Sequence, residues 1–265
     1  MAWYTGNTLY DILLIVGFIV AILIYLGSKY GTVKYGGRFG ESKAGAFRLS
    51  SKAGWMLMEL PALIIFPIVF FMGRNSGETV PLFFLCLWTF HYLNRAIVNP
   101  MLMRTAAGSK NSFDPSVMLW GWVVLALHAY LNAAYISEVG NHYQDAWFQD
   151  SRFIIGMAIY VFGFSLNVYS DSILRSLRSK NPTADEPRYK IPFGGFFKFV
   201  SCPHYLGEIL SFVGLAVMTW NLGAVFVVLV TAANLIPRAL VTHKWFNKNF
   251  DNYPAKRKAI FPFVL

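Results

Sequence analysis

The sequence predicts an all-α polytopic membrane protein with seven transmembrane helices, its N-terminus outside and its C-terminus in the cytosol. Three observations predict this. Apolar residues make up 56% of the 265 positions and charged residues only 14%, against roughly 45–50% and about 25% in soluble domains. The apolar residues gather in blocks, most of them close to the ~20 residues that cross the hydrocarbon of a bilayer. Of the 23 Lys and Arg, 21 fall in alternate connections and 2, Arg74 and Arg152, in the others. Basic residues collect on the cytosolic side, so the alternation sets orientation.

The spans are expected at about 9–26, 55–72, 80–98, 117–136, 153–170, 205–219 and 224–241. The first runs from about Leu9 to Leu26 and has no basic region before it, so it is expected to be retained rather than cleaved. The second holds Glu59, Pro61 and Pro67; the third holds His91, Tyr92, Asn94 and Arg95. The fourth holds His128 and Asn132, and the fifth continues into a polar end from Ser170 to Arg178. Pro203 opens the sixth, with Glu208 near its start, and the seventh carries Asn234, Pro237 and Arg238. The blocks form one membrane-embedded domain over 1–265. No internal repeat is visible, which argues against a transporter built from inverted repeats.

The net charge of +10 would point to nucleic acid in a soluble chain. Here the basic residues lie between apolar blocks, so the bilayer is the expected partner; no nucleic acid and no obligate protein partner is expected. Cys86 and Cys202 lie in different settings, and neither a bridge nor a metal site is expected of them.

Charged groups within a span normally face a cavity or a partner. Glu59 near the start of the second span and Tyr92 near the end of the antiparallel third fall at similar depth. A carboxylate paired with a phenol would orient it to donate to a substrate carbonyl; the same pair could equally close a helix contact. Asn167, Asp171, Arg175 and Arg178 recur at spacings of four and three, so they share one helix face. Such a face suits an anionic, hydroxyl-bearing ligand such as a nucleotide, or is a solvated amphipathic end. His204 and Glu208 are one turn apart but lack a third ligand for zinc. There is no Walker sequence and no GxGxxG after a strand.

At these residues the sequence resembles the steroid 5α-reductase family, with the look of a bacterial homologue. The resemblance is carried by Met58-Glu59-Leu60-Pro61, His91-Tyr92-Leu93-Asn94-Arg95, Asn167 to Asp171 with Arg175 and Arg178, Tyr189-Lys190-Ile191-Pro192 with Gly194-Gly195, Leu206-Gly207-Glu208, and Tyr253-Pro254 followed by Arg257-Lys258-Ala259 and Phe261-Pro262-Phe263. It implies a seven-helix reductase using NADPH on the C4=C5 double bond of a 3-oxo-Δ4 steroid. Tyr92 would donate to the C3 carbonyl with Glu59 setting its orientation, and Asn167, Asp171, Arg175, Arg178, Tyr189, His204, Glu208 and Arg238 would hold the cofactor. Arg95 and Arg104 are further candidates at the same mouth. The chain departs from the family pattern at Met58, Lys190, His204, Thr242 and Phe246. The implied setting is a bacterial inner membrane, or endoplasmic reticulum in a eukaryote. The competing readings are a reductase of another lipid double bond (polyprenol, enoyl thioester, sterol) and an isoprenylcysteine-type methyltransferase using S-adenosylmethionine.

Overall fold

A computed structural model describes residues 1, 3–30, 47–105, 113–180, 183, 185, 187 and 189–265. Among these the chain forms eight α-helices: α1 (Thr8–Tyr30), α2 (Ser51–Met72), α3 (Thr79–Leu93), α4 (Asn99–Leu102), α5 (Pro115–Ala134), α6 (Ser151–Ser176), α7 (Pro203–Thr219) and α8 (Leu222–Asn249). Two isolated bridges, Leu49 with Phe113 and Val200 with Lys258, are the β-type pairings of the described residues. The basic residues Lys34, Arg38, Lys43, Lys110 and Arg188, counted for orientation, lie outside the described residues.

Five helical segments are long and apolar enough to cross a membrane: α1, α2, α5 extended to Val139, α6 and α8. The chain is therefore an integral membrane protein. The expected third and sixth spans differ for identifiable reasons. A π-helical turn, Asn94–Val98, interrupts the third, so α3 itself has 15 residues. The sixth, α7, has 17 residues and is buried along most of its length. Outer faces confirm the solvent. Mean hydropathy over α1 reaches 2.7 while 28% of that window is buried, so its apolar side chains face outward into lipid.

Local chemistry starts and bends these helices. Ser50, Asp114, Asp150 and Asn221 each accept a backbone N–H in the first turn of the helix they open. Pro61 inside α2 has no N–H for the Leu57 carbonyl, and the Trp122 indole on α5 donates to that oxygen at 2.7 Å instead. Trp220, at φ 50°, ends α7, and Asn221 caps α8 directly after it.

The tightest contact is between α6 and α7. Gly156 and Gly163 on α6 meet Gly214 and Gly207 on the antiparallel α7. A Cβ on Gly163 would lie 2.5 Å from the Ser211 nitrogen, and one on Gly207 2.5 Å from the Asn167 nitrogen. Backbone meets backbone, as small residues allow in lipid. The chain beyond α8 folds back on the segment before α7, where Ser201 N–H donates to Lys258 O and Cys202 N–H to Ala259 O.

Candidate active site

The polar ends of α2, α3, α6 and α7 converge. Glu59 sits in the third turn of α2, His91 and Tyr92 in the last turn of α3, and Glu208 in the second turn of α7. All four are buried. Arg95, in the π-turn that follows α3, joins them: one guanidinium nitrogen donates to Glu59 Oε1 at 3.1 Å, the other reaches Glu208 Oε1 at 2.7 Å. His91 faces the same Glu208 oxygen through Nε2 at 3.7 Å, and its Nδ1 is hydrogen-bonded to the Tyr160 hydroxyl at 3.2 Å. One arginine thus serves two buried carboxylates from two other helices.

The expected direct bond between Glu59 and the Tyr92 phenol is replaced. Glu59 is taken by Arg95, and the Tyr92 hydroxyl pairs with His128 Nδ1 at 3.3 Å. The reason is the π-turn. It adds a residue to the helix just after Tyr92 and carries a long guanidinium into the space beside Glu59. Asn99 N–H bonds the Asn94 carbonyl there, and Pro100, which cannot donate, follows at once. π-turns of this kind are frequent at functional sites.

A second cluster lies on the polar end of α6. Asn99 donates to Asp171 Oδ2 at 3.0 Å and accepts from Arg175 Nη1 at 3.3 Å. Asp171 and Arg175 are therefore bridged by an amide from the next element rather than paired along the helix. Arg104 Nη1 donates to the Arg178 carbonyl at 2.8 Å and Arg178 Nη1 to the Arg104 carbonyl at 2.7 Å. Asn167 donates to the His204 carbonyl at 2.9 Å, which places it at the glycine contact of α6 and α7. Tyr189 rests on Trp245 at 4.9 Å between ring centroids, and Arg238 donates to Asn234 one turn earlier on α8. Gly194 and Gly195 both have positive φ, and Gly195 lies against Tyr169, where a Cβ would come within 2.7 Å of the ring. No trio of His, Cys, Asp and Glu stands ready for a metal among the described residues.

Residues 117–265 match the family model described as 3-oxo-5-alpha-steroid 4-dehydrogenase. The chain is 36% identical over 261 residues to the steroid 5-alpha-reductase DET2 of Solanum lycopersicum, covering 98% of each chain. The chain belongs to the steroid 5-alpha-reductase family. It is 31% identical to 3-oxo-5-alpha-steroid 4-dehydrogenase 1 of Bos taurus, over 94% of this chain and 98% of that one. Against 3-oxo-5-alpha-steroid 4-dehydrogenase 2 of Homo sapiens the identity is 32%, over 92% and 91%. As a steroid 5-alpha-reductase family member the protein is an oxidoreductase.

The sequence alone singles out Glu59, Tyr92, Glu208 and the α6 face as candidates. It left His128 without a role, gave Arg95 a marginal one and overlooked Asn99 and Tyr160. A polar residue inside an apolar span was the available signal for His128. None existed for Asn99, whose direction depends on the π-turn.

Proposed function

We propose that the protein reduces the C4=C5 double bond of 3-oxo-Δ4 steroids, with NADPH as reductant, to 5α-3-oxosteroids. The observation that carries this is the buried phenol of Tyr92 beside the Glu59–Arg95–Glu208 chain, inside apolar helices and next to the arginine-rich end of α6. The family and its named relatives supply the substrate class. The one-domain reading, seven spans and a cytosolic basic side belong to the same proposal.

The residues fit the cofactor by their chemistry. Arg104, Arg175 and Arg178 present planar forks suited to phosphate. Asp171 and Asn167 suit ribose hydroxyls, and the buried Ser170 hydroxyl beside them has no hydrogen-bond partner among the described residues. When bound, NADPH supplies the hydride. Tyr92 donates a hydrogen bond to the steroid C3 oxygen, and the polarisation carries through the conjugated double bond to C5. Glu59, held by Arg95 at 3.1 Å, fixes the charged wall of the site and helps to set the orientation of Tyr92. Tyr92 would hold the negative charge that reduction leaves on the C3 oxygen until C4 takes up a solvent-derived proton.

Oxidation of NADPH by purified protein with testosterone or progesterone tests the reading. Stoichiometric consumption with a 5α-reduced product is expected. No consumption with any 3-oxo-Δ4 steroid, together with binding of S-adenosylmethionine, would overturn it in favour of the methyltransferase.

A further inference from the structure

Among the described residues, the Tyr92 hydroxyl has one hydrogen-bond partner, His128 Nδ1 at 3.3 Å. Tyr92 is 1% exposed and His128 5%. Both rings are clamped. Trp88, anchored by its indole N–H on the Ala62 carbonyl, lies 4.8 Å from the Tyr92 ring and edge-on to the imidazole at 5.2 Å. Phe212 and Phe226 close the far side of the imidazole at 5.5 and 6.3 Å. Its Nε2 is buried there with no hydrogen-bond partner among the described residues.

A phenol carries one proton and two lone pairs. If Tyr92 donates to His128, no proton is left for a ligand. If Nδ1–H donates to Tyr92, the phenol's proton is free to point outward. The second arrangement leaves a bare Nε2 lone pair, rather than an N–H, among the aromatic rings. Buried orphan donors are rarer than under-satisfied acceptors.

We propose that His128 is a positioning residue for Tyr92: its neutral Nδ1–H donates to the phenolic oxygen, aims the phenol's proton at the substrate carbonyl and stabilises the charge that grows on that oxygen. The proposal rests on the reading above that Tyr92 is the donor. A hydrogen bond to developing charge in a water-poor site strengthens as the charge develops. His128 touches neither substrate nor cofactor and acts through Tyr92.

Two measurements separate the proposal from the substrate reading. In ¹⁵N-histidine-labelled protein, the resonances lost in His128→Asn identify His128. They are expected to show a neutral ring protonated at Nδ1 and to shift in Tyr92→Phe. In turnover, His128→Phe is expected to lower kcat about tenfold or more, with KM for NADPH nearly unchanged. His128→Asn, whose amide N–H reaches the Nδ1 position, should recover most of the loss. On a Tyr92→Phe background His128→Phe should cost nothing further. An Nε2-protonated ring, or losses that add fully with Tyr92→Phe, would overturn the proposal. An Nδ1–H ring coupled to Tyr92 in a protein that turns over no 3-oxo-Δ4 steroid would support the His128 pairing and sink the steroid reading alone.

Discussion

Arg95 shows how much one side chain carries at this site. It pairs with Glu59 and Glu208 at once, and removing it takes the shared guanidinium from two buried carboxylates. Arg95→Met is therefore expected to destabilise by about 3–5 kcal/mol, read as a lowered Tm in detergent, with Arg95→Lys intermediate. Tyr92→Phe removes the proposed donor without changing shape, and a loss in kcat of about 10²–10³-fold is expected with the fold intact. Near-normal turnover would remove Tyr92 from the mechanism. Glu59→Gln keeps the shape but takes the charge from under Arg95, so turnover and Tm should fall together. Glu59 and Tyr92 were legible in the sequence because polar residues in apolar blocks need a reason to be there. Their partners were not, because His128 and Arg95 reach them through packing and helix register, which spacing along one helix does not encode.

At the scale of elements, the glycines of α6 and α7 determine how the site is held. Gly163 has no room for a methyl, because Ser211 backbone lies 2.5 Å from its ideal Cβ. Gly163→Ala is expected to cost about 1–3 kcal/mol or more through overpacking, whereas Gly27→Ala on the open face of α1, with nothing within 4 Å, should be neutral or stabilise slightly. Equal Tm values for the two would contradict the backbone contact. At the other end of α6, the hydrogen-bonded guanidinium of Arg152 pulls the Asp150 carboxyl down to about 2. A depressed carboxylate stabilises above its unfolded value, near 4, and the contribution disappears as pH falls toward 2. Asp150→Asn should therefore lower Tm above pH 5 and converge with the parent protein as pH falls toward 2, flattening the acid limb of a Tm-against-pH curve. The helices themselves were legible from apolar runs. The two π-turns, Asn94–Val98 and Tyr135–Val139, were not, since a one-residue insertion in a helix leaves composition untouched.

For the whole molecule, charge placement gives a topology that can be checked directly. Single cysteines at Tyr4 and near Lys256, in a background with Cys86 and Cys202 replaced, should react with an impermeant maleimide from opposite faces of sealed vesicles. Labelling of both from one side would break the seven-span reading. The all-helical, membrane-embedded character was readable because lipid imposes long apolar helices. The arrangement of the helices around one another was not: the recurrence of Gly156 with Gly163 and of Gly207 with Gly214 gains its meaning only from the contact in the structure. That recurrence also bears on movement. Helices separated by a layer of side chains slide by repacking rotamers, but α6 and α7 have no such layer between them. They will travel as one stiff plate, carrying Asn167, Asp171 and Glu208 in fixed relation. Amide exchange should accordingly be slowest along the α6–α7 seam.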